Sequence, residues 1–185
     1  MDPKDSLNII GRMMSDTRRS VLLHSYIPFL TWGWCTVAIS LLVYFVVKFT
    51  GNTYGNLLWY ILPVLGILLT RLFRPRQKLI KTGISASLKG IWGMLTVLLI
   101  CFSVTSFFIP FNVLFFILLL LSIGSYVTGA VISYTFLQYN SVAGFIVSFL
   151  LLVIPGLNKI PVFAAAVAVM MIVPGVKMKQ DLDKL

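Results

Sequence analysis

Glutamate is missing from this chain, and no aspartate stands between Asp16 and Asp181. Carboxylates inside apolar segments are the usual elements of proton relays, cation-coupled transport and metal-assisted hydrolysis, so such mechanisms are excluded from most of the sequence. Histidine is almost as scarce. His24 is the sole one, too few for a zinc site without carboxylate or cysteine neighbours. Only two cysteines occur, Cys35 and Cys101, far apart and both within apolar stretches. Neither a CxxC pair nor a disulfide framework is present, and buried cysteine of this kind behaves as a small hydrophobe. No metal and no cofactor is expected.

What the chain has in excess is hydrocarbon. Of its 185 residues 59% are hydrophobic, and the mean hydropathy is +0.99, against about 45–50% apolar residues in ordinary soluble domains. Long uncharged runs recur along nearly the whole sequence. A bilayer core takes roughly 20 apolar residues per helix, which predicts an all-α polytopic transmembrane helical bundle of about six spans. The spans are expected near residues 27–47, 54–70, 91–109, 113–136, 138–154 and 158–173, together filling a transmembrane domain over residues 26–176. Pro63 is expected to kink the second. The polar run Gln138-Tyr139-Asn140-Ser141 should separate the fourth from the fifth. Pro155-Gly156 and Pro174-Gly175 should close the last two, which are short enough to cross fully or to form a re-entrant pair. Residues 78–88 read as a short interfacial helix leading into the third span.

Ahead of the first span, residues 1–25 are polar enough to form a separate unit. Asp2-Pro3 is a helix start, and Leu7, Ile10, Met14 and Val21 recur at helical spacing among Lys4, Asp5, Arg12, Asp16, Arg18 and Arg19. This predicts an amphipathic helix, lying in the headgroup plane or against the bundle's own end. The first apolar run lacks a small-residue cleavage site, so no removable signal is expected. Residues 177–185 form a charged tail.

The net charge is +10, from 15 Lys and Arg against 5 acids. Nucleic acid is not the expected partner, because no soluble domain remains to present a binding surface. The basic residues flank apolar spans instead. Of the 15, only Lys48 and Lys159 fall on one side of a six-span arrangement, so the positive-inside rule places both termini in the cytoplasm. Arg71, Arg74, Arg76, Lys78, Lys81 and Lys89 form the densest cluster, without an acid among them. They fit anionic lipid headgroups, although the same charges serve simply to hold that loop inside.

Small residues supply the other candidate site. Ser125, Gly129 and Ser133 fall at i, i+4 and i+8 in the fourth span, and Gly144 and Ser148 repeat the spacing in the fifth. Such a face allows close helix packing in lipid. It could alternatively line a narrow polar path with Thr128, Tyr126 and Tyr134. His24, beside Ser20 and Ser25, lacks an orienting third group for catalysis and fits a headgroup-level residue.

The opening Leu7-Asn8-Ile9-Ile10-Gly11-Arg12-Met13-Met14-Ser15-Asp16-Thr17-Arg18-Arg19 and Phe29-Leu30-Thr31-Trp32-Gly33-Trp34 resemble an uncharacterised bacterial family of short polytopic membrane proteins. Trp59-Tyr60-Ile61-Leu62-Pro63-Val64-Leu65-Gly66 and Ile172-Val173-Pro174-Gly175 are similar to it as well. The resemblance implies a bacterial inner-membrane location and carries over no activity and no catalytic residue. The functional expectation is a non-enzymatic accessory, regulatory or scaffolding subunit, with membrane lipids and a second copy or another membrane protein as partners. Its rivals are a small oligomeric channel or uncoupled transporter, and an enzyme acting on lipid or isoprenoid substrates.

Overall fold

The computed structural model describes the backbone of residues 3–73, 83–106 and 108–184, and side chains from residue 20 onward, apart from residues 21, 53 and 83–85 in that range. The described residues form helices and short connections, with no strand among them. They are α1 (Pro3–Thr50), a 3₁₀ segment (Thr53–Tyr60) running into α2 (Ile61–Leu72), α3 (Gly83–Thr105), α4 (Val113–Val131), α5 (Thr135–Val153), α6 (Lys159–Val167) and α7 (Val173–Asp183). Among the described residues six helical stretches are long and apolar enough to cross a membrane: Leu22–Thr50, Tyr54–Leu72, Ala86–Thr105, Val113–Val131, Thr135–Val153 and Gly156–Asp183. The chain is thus a polytopic bundle of transmembrane helices.

α1 is a single helix of 48 residues, about 72 Å long at 1.5 Å per residue. The expected boundary near residue 25 is no break in the helix, and the amphipathic pattern over residues 3–19 lies outside the described side chains. Pro28 sits inside α1. Three residues on, Thr31 Oγ1 lies 2.9 Å from the Ile27 carbonyl and 3.0 Å from Thr70 Oγ1 of α2, which itself reaches the Gly66 carbonyl at 2.6 Å. Of these contacts the one between the two hydroxyls crosses from α1 to α2. Gly66 makes room there for the Trp32 ring, which a Cβ would meet at 2.9 Å. Pro63 does not sit in mid-helix. The 3₁₀ segment places it third in α2, where the α-helical register needs no amide donor.

α1, α4, α5 and the last span form the centre, with α2 packed on α1 and α3 packed along α4. Its core gathers Leu22 and Phe29 from α1, Leu118 from α4, Leu137 and Leu151 from α5, and Phe163, Met170 and Met178 from the last span. Outward faces carry large apolar residues such as Phe45, Val64, Ile67, Ile146 and Phe149. Exposed hydrocarbon on this scale is what a lipid solvent accepts and water does not.

Three boundaries differ from the sequence expectation. The break between the fourth and fifth spans falls at Ile132-Ser133-Tyr134, and Gln138, Asn140 and Ser141 lie within α5. The turn closes because the amides of Ile132 and Tyr134 bond to the Thr128 and Gly129 carbonyls, with Ser133 at φ +52°. Three of the polar residues that suggested a loop are satisfied by helix carbonyls, one of α4 and two of α5. Gln138 Nε2 donates to the Gly129 carbonyl, Asn140 Nδ2 to Phe136, and Ser141 Oγ to Leu137. α3 starts eight residues before the expected third span and absorbs part of the expected interfacial helix.

The last span does not end at Pro174-Gly175. It continues to Asp183 through a π-helical turn, Ala168–Ile172, in which the Val173 amide bonds to the Ala168 carbonyl five residues back. The wider turn lets the chain pass a proline that would otherwise collide with the carbonyl four residues earlier. Gly175 then packs on Leu30 of α1, and Gly33 of α1 packs on Met171 and Ile172. Pro155-Gly156, by contrast, does terminate a helix, with Gly156 at φ +65°. The two Pro-Gly units are therefore not structurally equivalent. At 19 and 28 residues, the last two spans are each long enough to cross fully.

Candidate functional site

Among the described residues the most extensive helix–helix contact is that of α4 with α5. α4 buries Leu118, Ser122, Ser125 and Gly129, followed by Ile132 in the turn; α5 buries Leu137, Ser141, Gly144, Ser148 and Leu151. The steps alternate four and three residues, the period of a coiled-coil seam, here with serine and glycine at its middle positions. Small side chains let two backbones approach closely, which in lipid replaces the hydrophobic drive available in water.

Each side has its own further neighbour. On α4, Gly124 and Thr128 turn toward α3. Trp92 Nε1 donates to Thr128 Oγ1 at 3.0 Å, and Thr128 donates onward to the Gly124 carbonyl at 2.7 Å. Leu95 and Trp92 fill the space above Gly124, where a Cβ would meet Leu95 at 2.5 Å. On α5, a Cβ at Gly144 would meet Met170 Sδ at 2.7 Å and Ser122 Oγ at 2.9 Å. Gly144 therefore sits at a junction of α4, α5 and the π turn.

Three of the seam hydroxyls reach carbonyls of their own helices, and that of Ser122 also lies 3.2 Å from Met170 Sδ. Ser122 donates to Leu118 O, Ser141 to Leu137 O and Ser148 to Phe145 O, at 2.6–2.7 Å. A serine bonded in this way satisfies its proton within its own backbone and presents a small, nearly apolar face to its neighbour. Ser125 Oγ is fully buried without a partner among the described residues. A groove of ≈250 Å³ opens outward between the two helices, lined by Ser122, Ile123, Tyr126, Ser141, Val142 and Phe145.

Ser125, Gly129, Gly144 and Ser148 are thus brought to one interface, as their spacing suggested. Ser133 is not. It stands exposed in the turn, beyond the end of α4. Of the other residues suggested for a polar path, Tyr126 lines the groove between α4 and α5 beside Ser122 and Ser141. Thr128 is engaged by Trp92, Tyr134 Oη donates to Asp181 Oδ2 at 2.7 Å, and Pro63 lies on α2 at the periphery. Sequence reasoning missed Ser122, Ser141, Gly124 and Met170. The continuous four-three alternation of small residues through Ser122 and Ser141 was the available signal.

A second polar junction lies at the opposite end of α5. The Leu151 carbonyl would normally accept from the amide of residue 155, but Pro155 has none. Asn112 Nδ2, from the loop before α4, donates to it at 2.5 Å. The turn residue thereby caps the neighbouring helix.

Of the basic cluster, Arg71 ends α2 and Lys89 lies near the start of α3, both exposed. Arg74, Arg76, Lys78 and Lys81 lie outside the described residues. His24 Nδ1 is 2.8 Å from the Ser20 carbonyl. A carbonyl only accepts, so Nδ1 is the donor in this contact. Among the described residues no group of three His, Cys, Asp or Glu converges as a metal site requires.

Comparison with protein-family models, with curated proteins and with solved structures finds no match to this chain.

Proposed function

We propose that the protein is a non-enzymatic subunit of the bacterial inner membrane, accessory, regulatory or scaffolding in role, acting through packed helices and a basic cytoplasmic end. The observation that carries this reading is the seam between α4 and α5. Its glycines sit at close approaches and three of its serine hydroxyls bond their own backbone carbonyls, an arrangement suited to rigidity. In this reading both termini are cytoplasmic, since an even number of crossings gathers all basic residues but Lys48 and Lys159 at one end. Arg71, Arg74, Arg76, Lys78, Lys81 and Lys89 then face anionic lipid headgroups, each near-surface charge contributing about 1 kcal/mol. Partners are membrane lipids and either a second copy or another membrane protein.

The test is reconstitution of the purified chain into liposomes, beside recovery from native membranes with analysis of co-purifying proteins and lipids. The reading expects a stoichiometric protein partner and no saturable solute flux. Saturable flux across the liposome membrane would overturn it in favour of a channel or transporter.

A further inference from the structure

Tyr126 places a hydroxyl in hydrocarbon. α4 has 19 residues, close to the roughly 20 that cross a bilayer core. Tyr126 stands five residues before its end, about 7 Å inside at 1.5 Å per residue. Helix side chains tilt toward the N-terminus, so the ring is carried back toward Ser122 and the middle of the bilayer, where both line the groove between α4 and α5. The residue is 45% exposed, and its hydroxyl has no hydrogen-bond partner among the described residues. A hydroxyl left unsatisfied in hydrocarbon is costly. The groove therefore offers a donor in a solvent that supplies no acceptor.

The rest of the groove is shaped for a ring. Its lining is Ser122, Ile123 and Tyr126 of α4 and Ser141, Val142 and Phe145 of α5. These are positions i, i+1 and i+4 on each helix, so the groove is a notch one turn high, about 5.4 Å. Ser122 and Ser141 donate to the Leu118 and Leu137 carbonyls, which leaves an apolar floor. Phe145 stands across from α4 on the other helix, its ring held by that of Phe149 with centroids 5.4 Å apart. At ≈250 Å³ the notch lies just below the roughly 300 Å³ at which pockets for drug-sized molecules begin. A packing helix needs a channel several turns long, and a phospholipid tail carries no acceptor at this depth. An apolar ring bearing a carbonyl fits the height, the floor and the donor together.

The geometry points to a binding notch for a membrane-soluble quinone. The ring lies between Tyr126 and Phe145, one of its carbonyls accepts from Tyr126 Oη, and its isoprenoid tail stays in the surrounding lipid. Only binding is at issue, and it is independent of the function proposed above.

The probe is a benzoquinone with a short alkyl tail and a photoactivatable azide, added to the full chain in lipid nanodiscs and mapped by mass spectrometry. Labelling should saturate, fall on residues 122–126 and 141–145, and be displaced by the same quinone without the azide. Tyr126→Phe keeps the ring and removes the donor. It should raise the half-saturating concentration roughly twofold to tenfold, as expected for one lost hydrogen bond, with helix content and melting temperature as in wild type. Val142→Trp fills the notch from its exposed wall and should abolish saturable labelling. Labelling that never saturates, or that saturates at the wild-type concentration in Tyr126→Phe, would overturn the inference. Displacement by an alkane of equal length as readily as by the quinone would also overturn it, leaving the notch to lipid tails. So would a change of oligomeric state in Tyr126→Phe, which would give the hydroxyl to a second copy.

Discussion

Glycine is used in two opposite ways, and single substitutions separate them. At Gly144 a methyl group meets Met170 and Ser122 below 3 Å, whereas at Gly93 and Gly90 on α3 nothing stands within 4 Å. Met170 is completely buried. Gly144→Ala should therefore cost about 1–3 kcal/mol through overpacking, lowering the melting temperature in detergent by roughly 2–10 °C. Gly93→Ala should be neutral or stabilising by up to about 1 kcal/mol, since it gains helix propensity without a clash. Equal melting temperatures for these two variants would contradict the assigned packing. At this scale the sequence was only partly legible. The small-residue spacing identified Ser125, Gly129, Gly144 and Ser148 as interface positions. It could not show that Ser133 leaves the helix, because the turn is made by amides bonding back to Thr128 and Gly129 and not by a helix-breaking residue.

Helix ends are governed by where missing amides find substitutes, and proline alone does not predict them. Pro155 leaves the Leu151 carbonyl without its usual donor, and Asn112 supplies one from another element. Removing that side chain as Asn112→Ala should destabilise the fold by about 1–3 kcal/mol, the cost of a buried unsatisfied carbonyl. The loss should shrink when Pro155→Ala restores a backbone donor, so the two substitutions should be measurably non-additive in a double-mutant cycle. Strictly additive losses would show that Asn112 acts in some other way. Pro174 illustrates the opposite outcome. A π turn absorbs it and the helix runs on to Asp183, so the proline-glycine pair expected to close the sixth span lies buried inside it. Gln138, Asn140 and Ser141 misled in the same manner. A polar run marks a loop only if its groups need water, and these bond to carbonyls of α4 and α5.

Over the whole molecule, the solvent decides which signals survive. Uncharged runs of about 20 residues identified six spans before any coordinates, because a helix in hydrocarbon must satisfy its own backbone and can carry few charges. Boundaries shifted by several residues, yet the number of crossings did not. The basic cluster is legible only as charge, since Arg74, Arg76, Lys78 and Lys81 lie outside the described residues. Replacing these four with glutamine should lower the anionic lipid retained on purification at least severalfold, with helix content unchanged. Retention equal to wild type would remove lipid binding from the proposed role.

The six crossings are tested most directly by cysteine accessibility in intact membranes, starting from a Cys35→Ala, Cys101→Ser background. Single cysteines at Asn52, Ile109 and Asn158 probe one end of the bundle, and cysteines at Ser133 and Asp183 probe the other. The account predicts that a membrane-impermeant thiol reagent, applied from one side only, labels one of these two sets and spares the other until the membrane is opened. Labelling of members of both sets from the same side would contradict the six-span bundle.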